Sequence, residues 1–269
     1  MNYNVFDMTV AGSVGSPTLT TYIIDASEAF MINERPMVII CPGGGYNHVS
    51  DREGEMLAMQ FVAAGYHAAV LRYSVSPAVY PTQLLELAKA VALLRSHAKE
   101  WHIISDKILI QGSSAGGHLA MSYGCFWKEH FLVESQGGEK EILRPNGLVL
   151  SYPVITSGKY AHRSSFEMLL GSRYEELVDK MSLEHQVNRD TPKTFVWHTF
   201  EDNVVPVENT MLLIQALKKQ EISFECHIYP RGGHGLSLAN NLTLGVSGAE
   251  LQEDVTSWIG LAKTFISNL

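Results

Sequence analysis

The 269-residue chain reads as one α/β domain, spanning residues 1–269, with a mostly parallel central sheet, helices on both faces and a small helical cap inserted into it. Three observations carry that expectation. Short β-branched or aliphatic runs alternate with longer amphipathic stretches over most of the chain. Several of these runs are apolar on both alternating faces, as expected of strands covered on both sides. One long segment, residues 155–192, interrupts the alternation without supplying a strand of its own.

Taken in order, the runs near residues 3–10 and 18–25 precede the alternation and suggest an antiparallel edge. The core strands follow as MVIICPG from Met37, HAAVLRYSV from His67, KILIQGSS from Lys107, GLVLSYPV from Gly147, TFVWHTF from Thr194 and SFECHIYP from Ser223. Between them, DREGEMLAMQFVAAG opens on acids and stops at Gly65, a suitable helix terminator. YPTQLLELAKAVALLRSHAKEW has Pro81 at its start and Leu84, Leu87, Ala88, Val91 and Leu94 along one face. AGGHLAMSYGCFW, PVENTMLLIQALKKQ and the closing GAELQEDVTSWIGLAKTFISNL read as helices as well. Within 155–192, the amphipathic pieces SSFEMLLG and YEELVDKM mark the cap.

Composition narrows the function. A 46% hydrophobic content is enough for a sizeable core. The net charge of −8 is not interrupted by any Lys/Arg cluster, so there is no nucleic-acid footprint. No run approaches the ~18 apolar residues a membrane span needs. The start, MNYNVFDMTVAG, has neither the basic nor the apolar region of a signal peptide. Cys41, Cys125 and Cys226 are widely spaced and odd in number, fitting neither a disulfide framework nor a zinc site. Reduced thiols, a cytoplasmic location, no metal and no organic cofactor are the expectations; a homo-oligomer is left open.

The chemistry is concentrated in QGSSAGG. Gly112-Ser113-Ser114-Ala115-Gly116 matches G-x-S-x-G with Ser114 central, and the match falls where a strand turns into a helix. A sharp turn there leaves no room for side chains at the flanking positions, hence the glycines. Ser113 has no such flanks. The plain alternative for Ser114 is a helix N-cap.

A serine hydroxyl needs a base, and the base an orienting acid. In this arrangement they follow in the order Ser, Asp or Glu, His, on loops after later strands. After TFVWHTF comes Glu201-Asp202, with Asp202 preferred because it lies deeper in the loop; Glu201 is expected to face solvent. After SFECHIYP comes RGGHG, with His234 between glycines. His67, His97, His102, His118 and His198 lie in or beside strands or on helices and read as structural. Donors for a developing oxyanion are expected from the Ala115 N–H and from the glycine run Gly43, Gly44 and Gly45. That run lacks the G-K-[ST] or G-x-G-x-x-G spacing of a phosphate loop.

Together these stretches resemble the α/β-hydrolase superfamily, and within it the bacterial acetyl esterase branch related to acetyl-xylan esterases and hormone-sensitive-lipase-type carboxylesterases. The resemblance spans roughly residues 37–240, through CPGGGYNHVSDREGE, QGSSAGGHLA, RPNGLVLSYPVI, HTFEDNVVPVENT and YPRGGHGLSLA. It implies Ser114, Asp202 and His234 as a catalytic triad and Gly44, Gly45 and Ala115 around the oxyanion. It also implies acetyl or other small acyl groups as the group removed, often from a sugar hydroxyl. Two departures stand out: Cys41-Pro42 precedes the glycines where the lipase-like relatives carry a histidine, and Glu86 stands where an aspartate is expected. The pocket is expected to take in Tyr46, Tyr152 and Pro153, with Tyr160, His162 and Arg163 as further contacts from the cap. The substrate partner is then a small-molecule ester. The alternatives are an amidase, formamidase or small peptidase using the same triad, or a non-catalytic binding module; a gated peptidase is disfavoured by the short stretch before the glycine loop.

Overall fold

The computed structural model describes residues 1–248 and 250–269. Eight strands form one sheet: β1 (Asn2–Asp7), β2 (Thr18–Ile23), β3 (Arg35–Cys41), β4 (His67–Arg72), β5 (Ile103–Ser113), β6 (Gly147–Ser151), β7 (Thr194–Thr199) and β8 (Phe224–Tyr229). Their spatial order is β1-β2-β4-β3-β5-β6-β7-β8. β1 pairs antiparallel with β2, and β2 antiparallel with β4; every other pairing is parallel. The two earliest runs thus make the antiparallel edge, as their position before the alternation suggests.

The strand periodicity of two sorts the core into two layers. From β3, Met37, Ile39 and Cys41 enter one cluster while Val38 and Ile40 enter the other. β4 divides the same way, with Ala69 and Leu71 against Ala68 and Val70. The first layer holds α2 (Thr82–Ser96), α3 (Ala115–Phe126) and α7 (Glu208–Lys219), through side chains such as Leu87, Leu119 and Leu213. The second holds α1 (Glu55–Val62) and α8 (Trp258–Ser267), through Phe61, Trp258 and Phe265. Double coverage explains why these strands read as continuous apolar runs. This is the α/β-hydrolase architecture.

Some elements differ from the sequence reading. The closing helix is shorter than 248–269: its regular part is α8, preceded by a 3₁₀ turn over Glu253–Ser257, and residue 249 lies outside the described residues. The six-residue α4 (His130–Ser135) was not expected, because so few turns leave no 3.6-residue period to see. Residues 155–192 fold as α5 (Arg163–Leu170), α6 (Tyr174–Leu177) and 3₁₀ turns over Gly171–Arg173 and Leu183–His185. Phe166, Leu169, Leu170 and Met181 from this excursion join the same cluster as α2 and α3. No helix among the described residues is long and apolar enough to cross a membrane.

Candidate active site

Gly43–Gly45, Ser114, Asp202 and His234 follow the carboxyl ends of β3, β5, β7 and β8, where open α/β sheets place their ligands. Ser114 sits between β5 and α3 with φ 53° and ψ −119°, a strained conformation for any side chain. Its N–H donates to the Ser151 carbonyl at 2.9 Å, and its own carbonyl accepts from His118 and Val154. The flanking glycines are sterically required. A Cβ on Gly112 would lie 2.2 Å from the Gly116 carbonyl oxygen, and one on Gly116 would lie 2.0 Å from that of Cys41. Helix α3 can therefore start only by pressing its first turn onto β3, which lifts Ser114 to the surface of the turn.

Ser114 Oγ lies 2.7 Å from His234 Nε2, and His234 Nδ1 lies 2.6 Å from Asp202 Oδ2. Asp202 is buried and heavily hydrogen-bonded: its Oδ1 accepts the N–H groups of Val204 and Val205, each at 2.9 Å. Burial pushes its carboxyl up, but hydrogen bonds from His198 and His234 and the charge of those imidazoles outweigh this and hold it well below the usual carboxylate range. Glu201 does not simply face solvent; exposed as it is, it accepts the Gly232 N–H at 3.2 Å and braces the loop that carries His234.

His198, read from the sequence as structural, is a direct partner of the acid. Its Nε2 lies 3.2 Å from Asp202 Oδ2 and 2.9 Å from the Val205 carbonyl, while Nδ1 meets Thr210 Oγ1 at 2.8 Å. Since Thr210 can donate to Nδ1, the imidazole can present its Nε2 proton to Asp202 and Val205 while neutral. The signal was a histidine four residues before the acid, at the end of the strand that carries it.

Beyond β3, Gly44 and Gly45 adopt φ +124° and +63°, and a Cβ on Gly44 would meet the His48 carbonyl oxygen at 2.1 Å. Their tight turn brings Gly43 so close to Ser114 that a Cβ there would lie 2.9 Å from the serine Cβ. Among the described residues, the N–H groups of Gly44 and Gly45 have no hydrogen-bond acceptor, and Ala115, first residue of α3, has no intrahelical one. Those three N–H groups remain available to an incoming oxygen.

A cavity of about 470 Å³ opens over Ser114 and His234. Gly44, Gly45, His48 and Arg52 line it from the loop after β3, and His162, Ser164 and Met168 from the excursion. Burial lowers the pKa of His162, the charge of His234 lowers it further, and Asp202 acts in the opposite sense. Its Nδ1 is held 2.8 Å from Ser165 Oγ.

The expected pocket aromatics need correction. Tyr46 is fully buried beneath the glycine loop, its hydroxyl 3.0 Å from His118 Nδ1. Tyr152 is equally buried, donating to Glu53 Oε1 at 2.6 Å and packing edge-on against the His234 ring. Pro153 lies against α3, where a Cβ on Gly117 would strike it at 2.7 Å. None of the three lines the cavity, because the turns after β3 and β6 direct them inward. Tyr160 and Arg163 do not line it either; of the three excursion residues, His162 does. Glu86 is buried in the body of the fold, accepting from Ser13 and Ser74, far in role from the site.

The fold and this arrangement define an α/β-hydrolase with a serine at the elbow. The chain belongs to the BD-FAE family, which matches residues 27–217 and so includes Ser114 and Asp202 but not His234. It is 38% identical over 253 residues to endo-1,4-beta-xylanase B of Butyrivibrio fibrisolvens, covering 87% of this chain but 39% of that protein. It thus spans about two-fifths of that relative's length. Among solved structures, the acetyl ester-xyloside bifunctional hydrolase of Caldicellulosiruptor lactoaceticus superposes with a TM-score of 0.83 at 32% identity, covering 98% of this chain and 96% of that one. An α/β-hydrolase enzyme from a Medee basin deep-sea metagenome library gives 0.77 at 35% identity, covering 99% and 97%.

Proposed function

We propose that this protein is a serine carboxylesterase that removes small acyl groups, acetyl foremost, from esters that include acetylated sugars. The observation that carries the reading is the continuous chain from Ser114 through His234 to Asp202, at 2.7 and 2.6 Å, opening into a cavity with unengaged N–H donors. In this reading His234 Nε2 takes the Ser114 proton as Oγ attacks the ester carbonyl. The oxyanion is held by the N–H groups of Ala115 and of Gly44 or Gly45. His234 then protonates the departing alcohol, and water repeats the sequence on the acyl-enzyme. Asp202 keeps the Nδ1 proton in place and balances the imidazolium throughout. The cavity lining is more apolar than polar, which suits a small acyl group, and His48, Arg52, His162 and Ser164 supply the polar partners that a hydroxylated alcohol would meet there. The likeness to an acetyl ester-xyloside hydrolase supports the same substrate class.

The test is hydrolysis of a chromogenic ester series from acetyl to octanoyl, followed by acetylated xylo-oligosaccharides. Highest kcat/KM on acetyl, lost by about 10⁶-fold in Ser114→Ala, is the expected result. Turnover that survives the loss of Ser114, or no turnover of any ester, would sink the proposal.

A further inference from the structure

Glu53 is a buried carboxylate that the mechanism above leaves unused. It is 4% exposed, stands at the edge of the active-site cavity and forms no ion pair among the described residues. Its two oxygens join parts of the site that come from different strands. Oε2 accepts the N–H of Gly43, the residue before the two oxyanion glycines, at 2.7 Å. Oε1 accepts the hydroxyl of Tyr152, which follows β6, at 2.6 Å. That hydroxyl in turn accepts the N–H of Ser237, three residues beyond His234, at 2.9 Å, and the Tyr152 ring meets the His234 ring edge-on with centroids 5.1 Å apart.

The bracket ties down backbone that has little reason to stay in place by itself. Tyr152 and Ser237 both hold positive φ, 37° and 54°, and Gly44 and Gly45 follow Gly43 into the left-handed region. Such conformations persist only where neighbouring contacts over-determine them. Burial, the nearby carboxylate charge and its hydrogen bond all keep the Tyr152 phenol protonated, and therefore a donor to Glu53. A carboxylate can accept at both oxygens at once; an amide of the same shape cannot.

We infer that Glu53 is a positioning residue, holding the oxyanion loop and the His234 loop in one register through Gly43 and Tyr152. The inference rests on the proposed role of Ser114 and His234. It calls for losses in the chemical step rather than in substrate binding, because small misplacements of reacting groups cost rate.

The experiment uses Glu53→Gln, Tyr152→Phe and the double variant, with thermal melts to establish that each is folded. Two readouts are taken: steady-state hydrolysis of a chromogenic acetyl ester, and the rate at which a fluorophosphonate labels Ser114. In the labelling step the serine oxygen forms the P–O bond, fluoride leaves and the serine proton passes to His234, so no ester specificity is involved. Each single variant should lower kcat by about 10- to 100-fold with KM nearly unchanged, and slow labelling by a similar factor. The double variant should lose little more than the worse single one, since both changes cut the same link. Folded variants with wild-type kcat and labelling rates, losses confined to KM, or single losses that multiply would overturn the inference. Wild-type protein that labels at Ser114 but turns over no ester would sink the esterase reading alone. A wild-type Ser114 that does not label would sink both.

Discussion

The two walls of the cavity are built differently. The wall that carries Ser114, Gly44 and Gly45, backed by the buried Asp202, is held by backbone: strained turns, glycines pressed onto neighbouring strands, and a carboxylate wrapped in N–H donors. The other wall is a set of side chains at least partly exposed, Ser164 and Met168 on the short helix α5 and His162 just before it. A backbone-held group cannot shift without moving a strand, whereas a side chain on a surface helix can be exchanged at little cost to the fold. In the proposed esterase reading, the first wall carries the reaction and the second selects the acyl or alcohol group.

The largest test of that division is at the acid. Asp202→Asn leaves the shape of the first wall intact but replaces one acceptor oxygen with an amide, so the His234 tautomer is no longer secured. The expected fall in kcat is about 10⁴-fold with little change in KM, read from steady-state kinetics on an acetyl ester. Next comes Gly116→Ala, whose Cβ would fall 2.0 Å from the Cys41 carbonyl oxygen. Strand β3 or helix α3 must give way, which should destabilise the fold by about 3 kcal/mol and lower activity in the same variant. Denaturant titration beside kinetics would check both, and a fully stable, fully active Gly116→Ala would break the claim that this wall is backbone-held.

His162→Ala sharpens the comparison from the other side. Removing a ring from the second wall enlarges the cavity and breaks no hydrogen bond of the Ser114–His234 pair. The expected result is a shift of about tenfold in kcat/KM toward butanoyl and hexanoyl over acetyl esters, with the melting temperature nearly unchanged. An unchanged acyl profile would remove His162 from the selecting wall.

The smallest expected effect concerns stability alone. His118, buried on α3 between the Tyr46 hydroxyl and the Met181 carbonyl, has its pKa lowered to about 4, chiefly by burial. The folded state therefore resists a proton that the unfolded chain accepts at about pH 6.5, so stability falls as the pH drops from about 6.5 toward 4. Melting temperatures across that window should show the slope, and His118→Gln should flatten part of it. An equal slope in the variant would assign the effect to other groups.

How much of this was legible in the sequence depends on how local each constraint is. Gly112, Ser114 and Gly116 are neighbours in the chain, so their turn could be read directly, and the glycines flanking His234 marked its loop. Asp202 could be preferred over Glu201 by its depth in the loop, and the geometry brings it, not Glu201, onto His234. Tyr46 and Tyr152 misled because an aromatic next to a site motif does not reveal which way its turn directs it. Glu53 gave no signal at all: it lies 99 residues from Tyr152, and a glutamate among acids at the start of a helix looks solvated.

From the chain by itself came the alternating strands, their apolar character on both faces, the antiparallel edge and the order of the site residues. These follow from periodicities of two and 3.6 and from steric limits that act within a few residues. The tertiary structure decided which buried polar groups are joined: His198 to Asp202, Glu53 to Gly43 and Tyr152, His118 to the excursion. The reason is that hydrogen bonds form between groups the packing brings within about 3 Å, and strand order, not chain order, determines that proximity.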